Sequence, residues 1–241
     1  MSGHSKWNNI KHKKEKSDAA KAKIFTKIGK EMAVAIKAGG PDPSVNSKLR
    51  DLIAKAKANN VPNDNIQRTI KKFTDNSDIN YEEITYEGYG PSGVAIIVET
   101  STDNRNRTAG NVRAWFNKYG GNMGQNGCVG YLFEEKGVIT IIDEDEEIEE
   151  DKIMEDALEC GAEDIKCDEG EYTIYSSVDE LDAVRDAIIA LGYKIDTADL
   201  AKVPSTYVEL TNPEDVENME KMLDKFNEDD DVTAVYTNWD N

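Results

Sequence analysis

Residues Val138–Ala198 read VITIIDEDEEIEEDKIMEDALECGAEDIKCDEGEYTIYSSVDELDAVRDAIIALGYKIDTA, and their apolar rhythm switches repeatedly between strand and helix periods. Val138–Ile142 is a short run of mostly β-branched residues, which suits a strand. An acidic run, 143–151, leads into helical spacing over Ile153–Cys160. Asp164–Cys167 and Tyr172–Tyr175 flank Gly170 as a strand pair. A second helix is expected over Val178–Leu191 and a last strand over Tyr193–Ala198. The order βαββαβ is the split-βαβ, ferredoxin-like arrangement.

Working outward, the tail repeats the theme with a strand at Tyr207–Leu210, a helix at Glu214–Phe226 and a strand at Val232–Tyr236. Two strands and a helix are too few for a domain of their own. Upstream, strands are expected at Ile84–Tyr86 and Val94–Glu99, a helix at Thr108–Tyr119, a loop at 120–130 and a new strand from Tyr131–Phe133. Joined to these, the tail completes a second α+β sheet. The expectation is a discontinuous ferredoxin-like domain, 79–134 and 205–241, with the acidic ferredoxin-like domain 135–204 inserted into it. Before them, Ile24, Ile28, Met32 and Ala35/Ile36 recur at helical spacing, and Gly39-Gly40-Pro41 ends that helix. A second helix follows Pro43-Ser44 with Val45, Leu49, Leu52/Ile53 and Ala56 on its stripe, and a third carries Ile66, Ile70 and Phe73. Residues 1–78 therefore read as a small three-helix domain, and the whole chain as α+β.

Charge points to function. Residues 1–73 hold 17 Lys+Arg and 6 Asp+Glu, a net of +11; residues 74–241 hold 12 and 42, a net of −30, and the two give the total of −19. So polarised a chain meets a polyanion through its basic end. Lys6, Trp7, Lys11, His12, Lys13 and Lys14 form a basic arm, and Lys21, Lys23, Lys27 and Lys30 continue it along the first helix. Lysines gain affinity by releasing counterions from phosphates, and an aromatic ring stacks on bases. Only Arg50 and Arg68 accompany the lysines there, which favours tracking of the backbone over reading of base edges. Arg105, Arg107, Arg113 and Lys118 form a second basic island, with the first two ahead of the helix, where the alternatives are ion pairs with local carboxylates or a further phosphate contact. Gly120, Gly121, Asn122, Met123 and Gly124 open a Gly-rich loop that reads either as a flexible connection or as a tip entering an RNA cavity.

Other chemistry finds little support. Gly88-Tyr89-Gly90-Pro91-Ser92-Gly93 matches GxGxxG, but a strand follows it instead of the helix a dinucleotide needs, so it reads as a turn. His4 and His12 are the only histidines and have no cysteine nearby, so neither a metal site nor a His-partnered nucleophile is expected, and no cofactor. The acidic run 143–151 lacks EF-hand spacing. The longest apolar runs, Met32–Ile36 and Val94–Val98, are about a quarter of the ~20 residues a membrane span takes. Ten lysines without arginine in residues 1–37 do not suit a transit peptide, and three cysteines with no CxxC suit a reducing cytoplasm. A non-enzymatic, cytoplasmic nucleic-acid binder is expected, a monomer since no dimer seam is evident, with weak self-association as the alternative.

Six segments together resemble the YebC/PmpR family of transcriptional regulators, whose mitochondrial relatives are translational activators: GHSKWNNIKHKK (3–14), KIFTKIGKE (23–31), NNVPNDNI (59–66), YEGYGPSGVA (86–95), NRNRTAGNVR (104–113) and GGNMGQNGCVGYLF (120–133). The likeness runs from end to end, except over 143–151. It implies a helical domain followed by two α+β domains. It also implies one of two activities: a ribosome-associated factor that relieves stalling at proline-rich stretches, docked on ribosomal RNA, or a regulator bound to duplex DNA. For the second, the helix Asn63–Phe73, with Arg68, Lys71 and Lys72, is the candidate recognition helix.

Overall fold

The computed structural model describes residues 18–75, 80–143, 148–168 and 170–240, with side chains of the first helix from residue 22 onward. Three helices open it: α1 (Asp18–Gly39), α2 (Ser47–Ala58) and α3 (Asn63–Asp75). Their apolar stripes meet in one core of Ile28, Met32, Ala35, Ile36, Leu49, Leu52, Ala56 and Ile66. Val45 does not join it. It stands 78% exposed, because the helix starts two residues later, on the cap Asn46. The buried Asn46 side chain accepts from Leu49 N at 3.1 Å and donates to the carbonyls of Ala35 (2.8 Å) and Gly40 (2.7 Å). One asparagine therefore starts α2 and satisfies carbonyls at the end of α1.

The first sheet follows: β1 (Glu82–Tyr89), β2 (Ala95–Thr102), then α4 (Arg105–Lys118) and the two-residue β3 (Asn122–Met123). β1 and β2 form an antiparallel hairpin from Glu82↔Thr102 to Tyr89↔Ala95, so the GxGxxG segment is the last two residues of β1 followed by the turn Pro91–Gly93, and it opens no α-helix. The chain then enters β4 (Phe133–Ile142), α5 (Glu150–Glu159), β5 (Asp164–Asp168), β6 (Glu171–Ser176), α6 (Leu181–Ala190), β7 (Thr197–Pro204) and β8 (Val208–Glu209). It ends with α7 (Pro213–Glu228), β9 (Val232–Thr237) and β10 (Trp239–Asp240).

Two compact units result. One holds the helices and first sheet up to Gly130, together with Thr211–Val235. Its four strands run in the order β3-β1-β2-β9, and α4 and α7 meet through Phe116 and Phe226, whose ring centroids lie 5.3 Å apart. The other unit holds Tyr131–Leu210 and the chain from Tyr236 onward. Its sheet, β5-β6-β4-β7, is antiparallel throughout and is the βαββαβ order read from the sequence. Ile139, Ile141, Tyr172 and Ile174 of that sheet pack on Ile153 and Ala157 of α5 and on Val184 and Ile188 of α6. The fold class is α+β with a helical N-terminal region, as expected.

Local corrections have physical reasons. Tyr131–Phe133 and Val138–Ile142 are not separate strands: β4 runs unbroken from Phe133, because β7 pairs with it from Phe133↔Pro204 through the charged Glu134, Glu135 and Lys136. The segment expected as a strand at Tyr207–Leu210 leaves the first sheet and instead makes a small parallel pair with β10. The strand expected at Tyr193–Ala198 lies later, at Thr197–Pro204.

Candidate nucleic-acid interface

Of the lysines of α1, Lys23, Lys27 and Lys30 sit at intervals of four and three, hence on one face. That face points at the end of α7. Lys23 Nζ donates to the Glu228 carbonyl (2.9 Å), Lys27 to the Asn227 carbonyl (3.1 Å) and Lys30 to the Asp230 carbonyl (2.8 Å). The last carbonyls of a helix have no intrahelical donor and carry the negative end of its dipole, which suits the ammonium groups of Lys23 and Lys27, while Lys30 meets the chain just beyond the helix end. Lys30 also pairs with Asp231 at 2.7 Å. These three expected phosphate ligands thus join the helical region to the returning C-terminal segment. Lys6, Trp7, Lys11, His12, Lys13 and Lys14 lie outside the described residues, and of Lys21 only the backbone is described. On α2 and α3, Lys57, Arg68 and Lys71 are exposed and make no ion pair among the described residues; Lys72 lies 5.2 Å from the Phe73 ring centroid.

Asp231 organises the second basic island. Its carboxylate is buried and accepts from Lys30, from Arg107 Nη2 (2.6 Å), from Thr108 Oγ1 (2.8 Å) and from Thr102 Oγ1 (3.1 Å). Burial alone would raise its pKa, but the hydrogen bonds from Arg107, Lys30 and Thr108 bring it down to about 2. Arg107 also holds Asp103 at 2.8 Å, and both carboxylates push its guanidinium further up. Arg105 and Arg107 do not precede the helix as the sequence suggested; they form its first turn. Asn104 is the cap, accepting from Arg107 N at 3.1 Å, and its own N–H is taken by Thr102 Oγ1 at 2.9 Å. Arg105 and Arg113 are exposed and make no ion pair among the described residues. Tyr86 lies close: its hydroxyl donates to the Arg105 carbonyl at 3.5 Å, burial raises its pKa, and Arg105 and Arg113 oppose the rise. The sequence reading did not single out Tyr86.

The Gly-rich segment is fixed along the strand beside it. Gly120 (φ +77°) and the Gly121 N–H bonded to the Phe116 carbonyl (2.8 Å) end α4 in a Schellman turn. Asn122 and Met123 pair with Tyr89 and Gly88, so closely that a Cβ on Gly88 would lie 2.5 Å from the Asn122 carbonyl oxygen. Gly124 N donates to the Glu87 carbonyl at 2.8 Å. The exposed turn is Gln125–Asn126–Gly127, just beyond the five residues named from the sequence. Beneath it the buried Glu87 carboxylate accepts from the N–H groups of Gly127 (2.8 Å), Val129 (2.9 Å) and Gly130 (2.7 Å). An inward acid in a strand was the one sequence signal for this device, and the reading missed it. Among the described residues no group of three His, Cys, Asp or Glu could hold a metal ion, and no helix is long and apolar enough to cross a membrane. Burial pushes the Cys128, Cys160 and Cys167 thiols up, which disfavours the thiolate.

Known proteins resemble the chain along its length. Residues 5–76 match the model of the TACO1/YebC protein N-terminal domain, and residues 81–239 that of the TACO1/YebC second and third domain. A protein of Agathobacter rectalis is 54% identical over 241 residues, covering 100% of both chains, and one of Acetivibrio thermocellus is 52% identical over 240 residues, covering 99% of both. Each is named a probable transcriptional regulatory protein. The crystal structure of a conserved hypothetical protein from Aquifex aeolicus is similar at a TM-score of 0.82 and 41% identity, over 92% of this chain and 91% of that one.

Proposed function

Since the chain belongs to the TACO1/YebC family, we propose that it is a non-enzymatic regulator of gene expression that grips the phosphate backbone of a nucleic acid, with ribosomal RNA preferred. The observation that carries this reading is the segregation of charge, +11 over residues 1–73 against −30 over the remainder. Lys57, Arg68 and Lys71 stay exposed on α2 and α3, available to phosphates. The predominance of lysine over arginine in residues 1–73 fits backbone tracking. On the ribosome such a protein needs no chemistry of its own, because holding a stalled substrate in a reactive geometry suffices. Relief of stalling at proline-rich stretches, in the cytoplasm, is the role the family likeness suggests.

The names of the relatives favour a second reading, a DNA-binding transcriptional regulator. There the exposed Arg68, Lys71 and Lys72 of α3 would face the duplex. Sedimentation of cell lysate through a sucrose gradient at moderate salt separates the two. Co-migration with ribosomes or their subunits is expected, and an entirely free pool overturns the ribosomal reading. Selective retention of promoter DNA over random duplex at ~150 mM salt, near physiological ionic strength, would establish the DNA reading in its place.

A further inference from the structure

Helix α4, RNRTAGNVRAWFNK, carries four cations and no acid, in a part of the chain where acids outnumber bases 42 to 12. Its residues divide by task. Val112 and Phe116 are buried, and Arg107 is held by Asp231 and Asp103. Asn106, Gly110, Arg113, Ala114 and Asn117 are exposed, and spacings of three and four bring them to one side of the helix; Arg105, also exposed, stands at its start, roughly 80° round from Arg113. Arg105 stands in the first turn, where the positive end of the helix dipole disfavours a cation. Asp231 and Asp103 serve Arg107 and Thr108 of that turn, while the Arg105 side chain makes no ion pair among the described residues.

Gly110 adds an independent observation. Glycine in a helix interior is destabilising relative to alanine, so it needs a reason. The fold supplies none: a Cβ at Gly110 would meet nothing within 4 Å. What remains is the approach of something from outside, for which a bare backbone clears the way.

We infer that this side of α4 is a second phosphodiester-binding surface, in which Arg113 holds one phosphate where the strand passes beside Gly110, and Arg105, at the start of the helix, holds another. The two arginines are eight residues apart, roughly 12 Å along the helix at the usual rise. Arginine's planar fork suits phosphate oxygens, and Asn106 and Asn117 add neutral donors. An acidic protein segment would meet the same charges, but the aromatic that borders this face, the half-buried Trp115, packs on Phe226 with ring centroids 5.8 Å apart, and the exposed residues of the face include no aromatic or large aliphatic anchor of the kind protein interfaces are built on. The inference rests on the nucleic-acid reading and extends it to a site on a different element from the Lys-rich helices.

Binding of the full chain to labelled single-stranded RNA, the matched DNA duplex and polyglutamate, followed by fluorescence anisotropy over a salt series, tests it. Each phosphate contact adds about −0.7 to −0.9 to the slope of log K against log salt, so R105Q/R113Q should flatten the slope by about 1.4 to 1.8. R105K/R113K should keep the slope with weaker binding, since it preserves charge and loses the fork. Gly110→Ala should weaken nucleic-acid binding severalfold while raising the melting temperature, a combination that a merely structural glycine cannot give. The RNA and duplex arms show which backbone the face prefers. An unchanged slope in R105Q/R113Q, with the parent chain binding normally, overturns the inference and leaves the nucleic-acid reading intact. Loss of polyglutamate binding alone overturns it in favour of an acidic protein partner. Failure of the parent chain to bind any nucleic acid overturns both.

Discussion

Asp231→Asn removes the anion shared by Lys30 and Arg107 while keeping the size of the side chain. The Asp231 carboxyl titrates at about 2 instead of the usual 3.8, which corresponds to roughly 2 kcal/mol of stabilisation of the folded state. Breaking a buried ion pair on one side costs about 3–5 kcal/mol when the other charge is stranded. Here Lys30 retains the Asp230 carbonyl and Arg107 retains Asp103, so a loss of about 2–3 kcal/mol is expected at neutral pH. The folded-state pKa is depressed, so the contribution is complete above the unfolded value near 4, falls to about half by pH 3, and vanishes below about pH 2. Urea unfolding of both proteins between pH 7 and pH 3 measures it. The gap in unfolding free energy should narrow towards about 1 kcal/mol at the acid end. A gap under about 0.5 kcal/mol at neutral pH, within the range of an ordinary surface substitution, refutes the placement of Asp231 at this junction. So does a gap that ignores pH.

Glu87→Gln leaves three N–H groups with one neutral oxygen between them, and the loss of charged acceptors should cost about 1.5–3 kcal/mol. Hydrogen exchange should then quicken at Gly127, Val129 and Gly130 before the rest of the sheet; uniform protection would contradict a local role. Gly88→Ala places a Cβ 2.5 Å from the Asn122 carbonyl, and should cost about 1–3 kcal/mol in thermal or urea unfolding, as overpacking does. K23A/K27A removes two donors from the end of α7, for a loss of about 0.5–2 kcal/mol in total. It should leave the salt slope of nucleic-acid binding unchanged, and a flatter slope would return these lysines to the phosphate-binding surface.

What was legible in the sequence was what local pattern encodes. The stripes of Ile28, Met32 and Leu49, the Gly39-Gly40-Pro41 stop and the βαββαβ alternation are near-neighbour signals, and the elements appear in the order they predict, although the last strand of that unit lies later, at Thr197–Pro204. What escaped depends on partners far along the chain. Asp231 stands in the run Asp229-Asp230-Asp231, and nothing nearby distinguishes the one that meets Lys30 and Arg107, 201 and 124 residues away, from its neighbours. The face formed by Lys23, Lys27 and Lys30 was visible, but its partner was not, since helix-terminal carbonyls carry no side-chain signature. The first half of β4 was hidden because Glu134, Glu135 and Lys136 read as loop, although an edge pairing with β7 tolerates them.

These placements change how the chain's acidity is to be understood. A net charge of −19 looks adverse for a polyanion binder only if charge acts as a sum. Asp231 and Asp103 draw Arg107 inward, and the backbone at Asn227–Asp230 draws in the α1 lysines, so part of the basic charge is committed to joining elements. Arg68 and Lys71 on α3 and Arg105 and Arg113 on α4 are left facing outward. The excess carboxylates then repel phosphate elsewhere along the chain, and an approaching backbone meets attraction at few places. A repulsive surround raises specificity of placement without adding a contact. On the proposed function, adding positive charge at random to such a protein would therefore tighten nucleic-acid binding and blur where it occurs.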